Sequence, residues 1–311
     1  MPRHTSAVRH YLRSALAANT LKAYARDLER FKASGGQIPA RPEQVARYLA
    51  TAAADLKPST LARQAAAISY AHEQRGLASP TTSAIVRRTL QGIRRAKGVA
   101  QKQATPLTPT LVAQLVRPLR CLSEAQNQRD AALFLVAFAG GFRRSEIASL
   151  CVSDISFMRQ GVLIRLRRSK TDPYQRGRSV AIPQARAPQR CPVRALRRWL
   201  AMLAALRNLD VDPADAASPL FCRIDKHGNA GGALNGASVG WLLRKRLTLH
   251  GLSTEGYTAH SFRAGLVTSA AKAGVPVWAI QRQTGHRSES TVHRYIRGLN
   301  AFECNALAPV L

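Results

Sequence analysis

Four short stretches of this 311-residue chain hold side chains that could handle a phosphate. In Gly141-Phe142-Arg143-Arg144-Ser145-Glu146, Arg143 is expected at a strained turn entering a helix. Glu146 then lies one turn along the same face, where its carboxylate can hold the guanidinium in one orientation. Ser169-Lys170-Thr171 reads as part of a β-hairpin, and a lysine there can donate a proton once its surroundings lower its pKa. His260-Ser261-Phe262-Arg263 places an imidazole and a guanidinium three residues apart on one helical face. Thr284-Gly285-His286-Arg287 sets a glycine before a histidine, which allows a sharp turn, and Tyr295 follows on the next helix. Taken singly, each is an ordinary surface arginine, solvated lysine or amphipathic-helix tyrosine. Taken together, they are the residue types of phosphodiester exchange without a metal. A nucleophile attacks phosphorus, arginine forks hold the oxygens, and an acid protonates the leaving 5′ oxygen. Tyrosine, with an ordinary pKa near 10, needs neighbouring cations and a base to serve as that nucleophile.

The elements that must position these groups are mostly helical. In the first hundred residues Leu21, Tyr24, Leu28 and Phe31 recur at helical spacing, with Asn19 or Thr20 as the expected cap and Gly35-Gly36 as the stop. A second helix is expected from Pro42 through Val45, Ala46, Tyr48 and Leu49, a third from about Ser59 to Gly76, and shorter amphipathic pieces as far as Arg95. The aperiodic stretch with Gly98, Pro106 and Pro109 reads as a linker. This predicts a helical domain over 1–97, a linker over 98–109 and a larger domain over 110–311. In the larger part, helices are expected over 131–138 and 144–150. Strands follow at 162–166 and 179–182, with Asp172-Pro173 and Gly177 between them. Helices resume near Pro192 and over about 237–249, 260–273, 276–284 and 288–296. The expected class is mainly α with a small antiparallel sheet in the larger domain.

Charge narrows the partner. The chain has 47 Lys+Arg against 17 Asp+Glu, a net charge of +30. The excess is shared: 18 basic and 5 acidic residues over 1–104, 29 and 12 beyond. Self-repulsion of this size suits a polyanionic partner, above all nucleic acid gripped by both domains. The five cysteines, Cys121, Cys151, Cys191, Cys222 and Cys304, never form a Cys-x-x-Cys pair, which argues against a disulfide framework or zinc ligation and for a reducing compartment. No stretch at the N-terminus looks like a signal peptide, and the longest apolar run, 131–142, is too short for a bilayer. A soluble intracellular protein with no membrane partner is expected. Neither a phosphate-binding Gly-x-x-x-x-Gly-Lys loop nor a clustered carboxylate site is present in the sequence, which agrees with a chemistry that needs no cofactor and no metal.

In order and spacing, Arg143, Lys170, His260, Arg263, His286 and Tyr295 resemble the pattern of the tyrosine recombinase (phage integrase) family, with the tyrosine nine residues past the last histidine. Asn19-Thr20-Leu21-Lys22-Ala23-Tyr24 is similar to the start of that family's core-binding domain. The ending Tyr295-Ile296-Arg297-Gly298-Leu299-Asn300 and the stretch His260 to Gly265 resemble the Cre-like branch, although Cre has tryptophan where His286 stands. The resemblance implies a helical core-binding domain, a larger α+β catalytic domain, and a site-specific recombinase that cuts and rejoins double-stranded DNA through a 3′-phosphotyrosine. It implies Tyr295 as nucleophile, Arg143, Arg263 and His286 around the transition state, Lys170 as acid, His260 assisting proton transfer and Glu146 behind them. It also implies a dimer on each site, a tetramer in synapsis and a cytoplasmic, nucleoid-associated place of action, with any accessory proteins unspecified. Two other readings remain open: a topoisomerase-like nicking-closing enzyme, and a DNA-binding protein whose active site has decayed. Arg87, Arg88, Arg94 and Arg95 are candidates for reading bases. The segment with Phe302, Leu307 and Val310 docks either on its own domain or on a neighbour.

Overall fold

The computed structural model describes residue 11 and residues 15–99, 103–167, 177–207 and 218–296. Lys170, the Asp172-Pro173 turn, Cys304 and the apolar C-terminal segment lie outside the described residues. The chain divides into two compact units, 1–102 and 103–311.

The smaller unit is helical: α1 (Ala18–Ala33), α2 (Pro42–Ala52), α3 (Pro58–Glu73) and α4 (Ala84–Lys97). Proline opens α2 and α3 because its fixed φ suits the first helical turn and its missing N–H is not needed there. The expected cap of α1 is corrected. Ala17 occupies the cap position without a side-chain bond, and Asn19 and Thr20 fall inside the first turn. Phe31, Val45, Leu49, Leu61, Ile68 and Val86 form the core. The buried carboxylate of Asp27 accepts from Arg63 Nε at 2.7 Å and Nη2 at 3.0 Å, so its charge is paired as burial demands.

The larger unit runs α5 (Pro109–Leu115), α6 (Glu124–Gly140), α7 (Arg144–Ala148), β1 (Ile155–Met158), β2 (Gly161–Leu166), β3 (Arg178–Pro183), α8 (Pro192–Leu206), β4 (Cys222–Ile224), β5 (Ala230–Ala233), α9 (Gly236–Leu249), α10 (His260–Lys272), α11 (Val277–Thr284) and α12 (Glu289–Ile296). β1, β2 and β3 form an antiparallel sheet in that order, and β4 pairs with β5. The sheet exceeds the expected hairpin by β1, a short strand half-buried on alternate residues.

α6 is the central helix, packed against α8 and α10. It is seven residues longer at its start than the apolar run suggests, because Asn127, Arg129 and Asp130 interrupt the hydrophobic pattern yet are buried. They pair inside the protein. Arg246 of α9, fully buried, donates to Asp130 at 2.8 Å and to Asn127 at 2.9 Å, and Arg129 donates to Asp130 at 2.7 Å. Ser123 and Gln126 close a capping box at the start of α6.

Half of the stretch read as linker is built into this unit. Leu107 is fully buried, its N–H donates to Ser261 O at 3.1 Å, and Thr105 N–H donates to Gly256 O at 3.0 Å. A Cβ on Gly265 would lie 2.2 Å from Leu107 O, so only glycine lets α10 come this close. This strap holds the helix that carries His260 and Arg263.

Candidate active site

Arg143 occupies the cap position of α7, with φ −71° and ψ 152°. That is ordinary extended backbone, so the expected strain is not at Arg143. The left-handed residue is Gly141 at φ 57°, which ends α6. A Cβ there would lie 2.8 Å from Leu266 Cδ2 and 2.9 Å from Thr284 Cγ2. Glu146 is almost fully buried and grips Arg143 twice. Its Oε1 accepts from Arg143 Nη1 at 2.6 Å and its Oε2 from the Arg143 backbone N–H at 2.9 Å. Arg143 Nη2 donates to Gly285 O at 3.2 Å, which joins α7 to the turn after α11.

Arg263 is 1% exposed. Its Nη1 donates to Gly141 O at 2.8 Å and Thr284 O at 2.6 Å, and its Nε to His286 Nε2 at 3.2 Å. Nη2 is buried with no hydrogen-bond partner among the described residues. Burial and the nearby charge of Arg143 lower the guanidinium pKa to about 10, against the pull of Glu146. It stays a cation at neutral pH.

Gly285 ends α11 in the left-handed region, φ 68°, and turns His286 into the site. His286 Nδ1 is 2.7 Å from Thr284 Oγ1, which in turn donates to Ile280 O at 2.6 Å. Burial first, then Arg263 and Arg143, hold the His286 pKa down to about 3. The imidazole is therefore neutral.

His260 opens α10 and Tyr295 sits in the last turn of α12. His260 Nε2 hydrogen-bonds the Tyr295 hydroxyl. Partial enclosure, Arg263 and Arg143 keep His260 below the usual histidine range. The Tyr295 phenol is pushed up by burial and pulled back by Arg263 and Arg294. The His286 ring stands 5.7 Å from the Tyr295 ring, centre to centre. Five of the six residues singled out for chemistry, with Glu146 behind them, thus come together in one site. The sixth, Lys170, is outside the described residues.

Residues 107–301 match the phage integrase family. The chain is 36% identical over 308 residues to an integrase/recombinase XerD homologue of Selenomonas ruminantium, covering 95% of this chain and 86% of that one. The chain belongs to the phage integrase family. It is a tyrosine-type site-specific DNA recombinase. Among solved structures, its fold is similar to XerH site-specific recombinase in a post-cleavage complex with a palindromic difH substrate, with a TM-score of 0.62, 18% identity and coverage of 93% and 78%. It is also similar to a lambda integrase dimer bound to a COC′ core site, with a TM-score of 0.59, 16% identity and coverage of 92% and 91%. These likenesses bear out the mainly helical class with a small antiparallel sheet.

The sequence reading missed one residue of this site, Arg178. It stands at the start of β3, in the same inward register as the buried Val180 and Ile182. A charged residue in phase with the buried positions of a strand was the available signal. Among the described residues, no group of histidine, cysteine and carboxylate side chains is placed to hold a metal ion, and no helix is long and apolar enough to cross a membrane.

Proposed function

We propose that Tyr295 is the nucleophile of strand cleavage and that the surrounding residues divide the work by position. The hydroxyl oxygen attacks phosphorus, its proton passes to the neutral Nε2 of His260, and the P–O5′ bond breaks to leave a 3′-phosphotyrosine. Lys170 supplies the proton that the 5′ oxygen takes up. The non-bridging oxygens are held by Arg143 and by the Nη2 of Arg263, whose other nitrogens are already engaged within the protein. A guanidinium locked beforehand needs no reorganisation when charge shifts, which favours the transition state. A 5′ hydroxyl from another strand then reverses the step. The bond energy is retained in the phosphotyrosine. What carries this reading is the hydrogen bond between His260 and Tyr295, set beside two anchored arginines.

The partner is double-stranded DNA, and both units are basic enough to contribute phosphate contacts. A dimer on each site accords with the dimeric assembly of the lambda integrase on its core site, and two such dimers would make a tetramer in synapsis. Placement in the Cre-like branch rests on the stretch His260 to Gly265 and the ending Tyr295 to Asn300, and action in the cytoplasm at the nucleoid is the place a DNA substrate would suit.

Covalent trapping tests the assignment. Purified protein is mixed in EDTA with nicked duplexes drawn from DNA flanking its own gene, and adducts are resolved on denaturing gels. An adduct that Tyr295→Phe abolishes is the expected result. An adduct that persists in Tyr295→Phe would assign the nucleophile elsewhere, and none at all on specifically bound DNA would favour a decayed site. Joining between two duplexes separates recombination from nicking and closing.

A further inference from the structure

Arg178 touches both halves of the site. Its Nη1 donates to Gln283 O at 2.9 Å and its Nη2 to Thr284 O at 3.3 Å. The same Nη2 lies 3.6 Å from Glu146 Oε2, whose carboxylate holds Arg143. Arg178 Nε is buried against Gly285, where a Cβ would come within 2.9 Å of it. The side chain is 22% exposed. Such placement suits a strut better than a phosphate ligand.

The geometry points to Arg178 as a positioning residue: it ties the Glu146 carboxylate behind Arg143 to the Gln283-Thr284-Gly285 turn that presents His286 and anchors Arg263. This rests on the assignment of those residues to cleavage. The planar fork is what the role demands, because two backbone carbonyls and a carboxylate are engaged from one group. An ammonium on a flexible stem can neutralise Glu146 but cannot span all three acceptors. β3 begins eight residues past Lys170 in the sequence, and the strut fastens that strand to the turn.

Arg178→Gln and Arg178→Lys are compared with wild type in three measurements. The first is single-turnover cleavage of a nicked duplex, the second is affinity for the same duplex, and the third is NMR titration of isotope-labelled histidines in the full chain. We expect cleavage to fall at least tenfold in Arg178→Gln, and less in Arg178→Lys, with affinity held within twofold. The His286 pKa, held down to about 3 by burial and by the charges around it, should move toward the ordinary histidine range. Wild-type cleavage in either variant, or an equal loss of affinity and cleavage, overturns the role. An unchanged His286 titration in both variants overturns it too. Because the titration needs no turnover, it reports on the strut even where Tyr295 proves not to be the nucleophile. If Arg178→Gln does not fold, Arg178→Lys carries the same three comparisons.

Discussion

Arg263 Nε lies 3.2 Å from His286 Nε2, and the direction of that bond fixes the state of the imidazole. A guanidinium N–H only donates, so Nε2 accepts and the ring proton sits on Nδ1. Nδ1 then donates to Thr284 Oγ1, whose own proton goes to Ile280 O. In this state His286 aims Arg263 rather than presenting a proton to phosphate.

Thr284→Val keeps the volume of that side chain and cuts this chain of hydrogen bonds. Leaving a buried donor unpaired costs about 1–3 kcal/mol, so cleavage is expected to fall roughly 5- to 150-fold. Thr284→Ser should restore most of it. Single-turnover cleavage with DNA in excess checks this, and equal loss in Val and Ser would remove the hydroxyl from the account.

With His260 as the proposed proton acceptor, its lowered pKa would set the acid limb of activity. A base with the ordinary pKa of about 6.5 would lose about fourfold of its neutral form between pH 7.5 and pH 6. His260 lies below that value, so cleavage should fall by less than this. A full fourfold loss that disappears in His260→Gln would contradict it.

Stability has its own pH dependence, with a definite sign. His260 and His286 are both lowered in the folded protein, so the unfolded chain binds more protons below its own histidine pKa. Their contribution is complete above about pH 6.5 and is lost as pH falls toward the folded His286 value of about 3. Urea midpoints at pH 7.5, 6 and 5 should decline in that order. His286→Gln should flatten the decline.

Gly285→Ala combines two faults. A left-handed alanine costs about 1–2 kcal/mol, and its Cβ would lie 2.9 Å from Arg178 Nε. Cleavage should suffer more than stability, since the displaced groups hold the reacting centre. A variant with unaltered cleavage and lowered urea midpoint would show the turn to be purely structural.

Asp130→Ala leaves Arg246 and Arg129 buried without their carboxylate. Losing one member of such a network costs roughly 3–5 kcal/mol. Urea denaturation should show this loss, and Asp130→Ala combined with Arg246→Met should recover part of it. Additive losses would mean the pair is not coupled.

For DNA affinity, a plot of log K against log salt should fall by about 0.9 per phosphate neutralised. A chain of net charge +30 is expected to give a steep line. A flat line would end the phosphate-contact account.

Some of this site could be read along the chain. Arg143 and Glu146 are three residues apart, as are His260 and Arg263, and the glycine before His286 signals its turn. Helix starts at Pro42 and Pro192 were equally legible, because proline acts through its own ring, while the start at Pro58 was placed one residue late at Ser59. The start of α6 was not, since its polar residues are satisfied by Arg246, more than a hundred positions away.

By itself the sequence determined the mainly helical class, the basic partner surface and the residue types of the chemistry, all of which depend on local spacing and composition. Only the tertiary structure decided that Arg178 belongs to the site, that His286 is neutral and faces Arg263, and that His260 meets Tyr295. Their partners are backbone carbonyls and side chains as much as 106 residues apart, as with Arg178 and Thr284. A carbonyl has the same chemistry at every position, so no residue pattern along the chain marks which one an arginine will find.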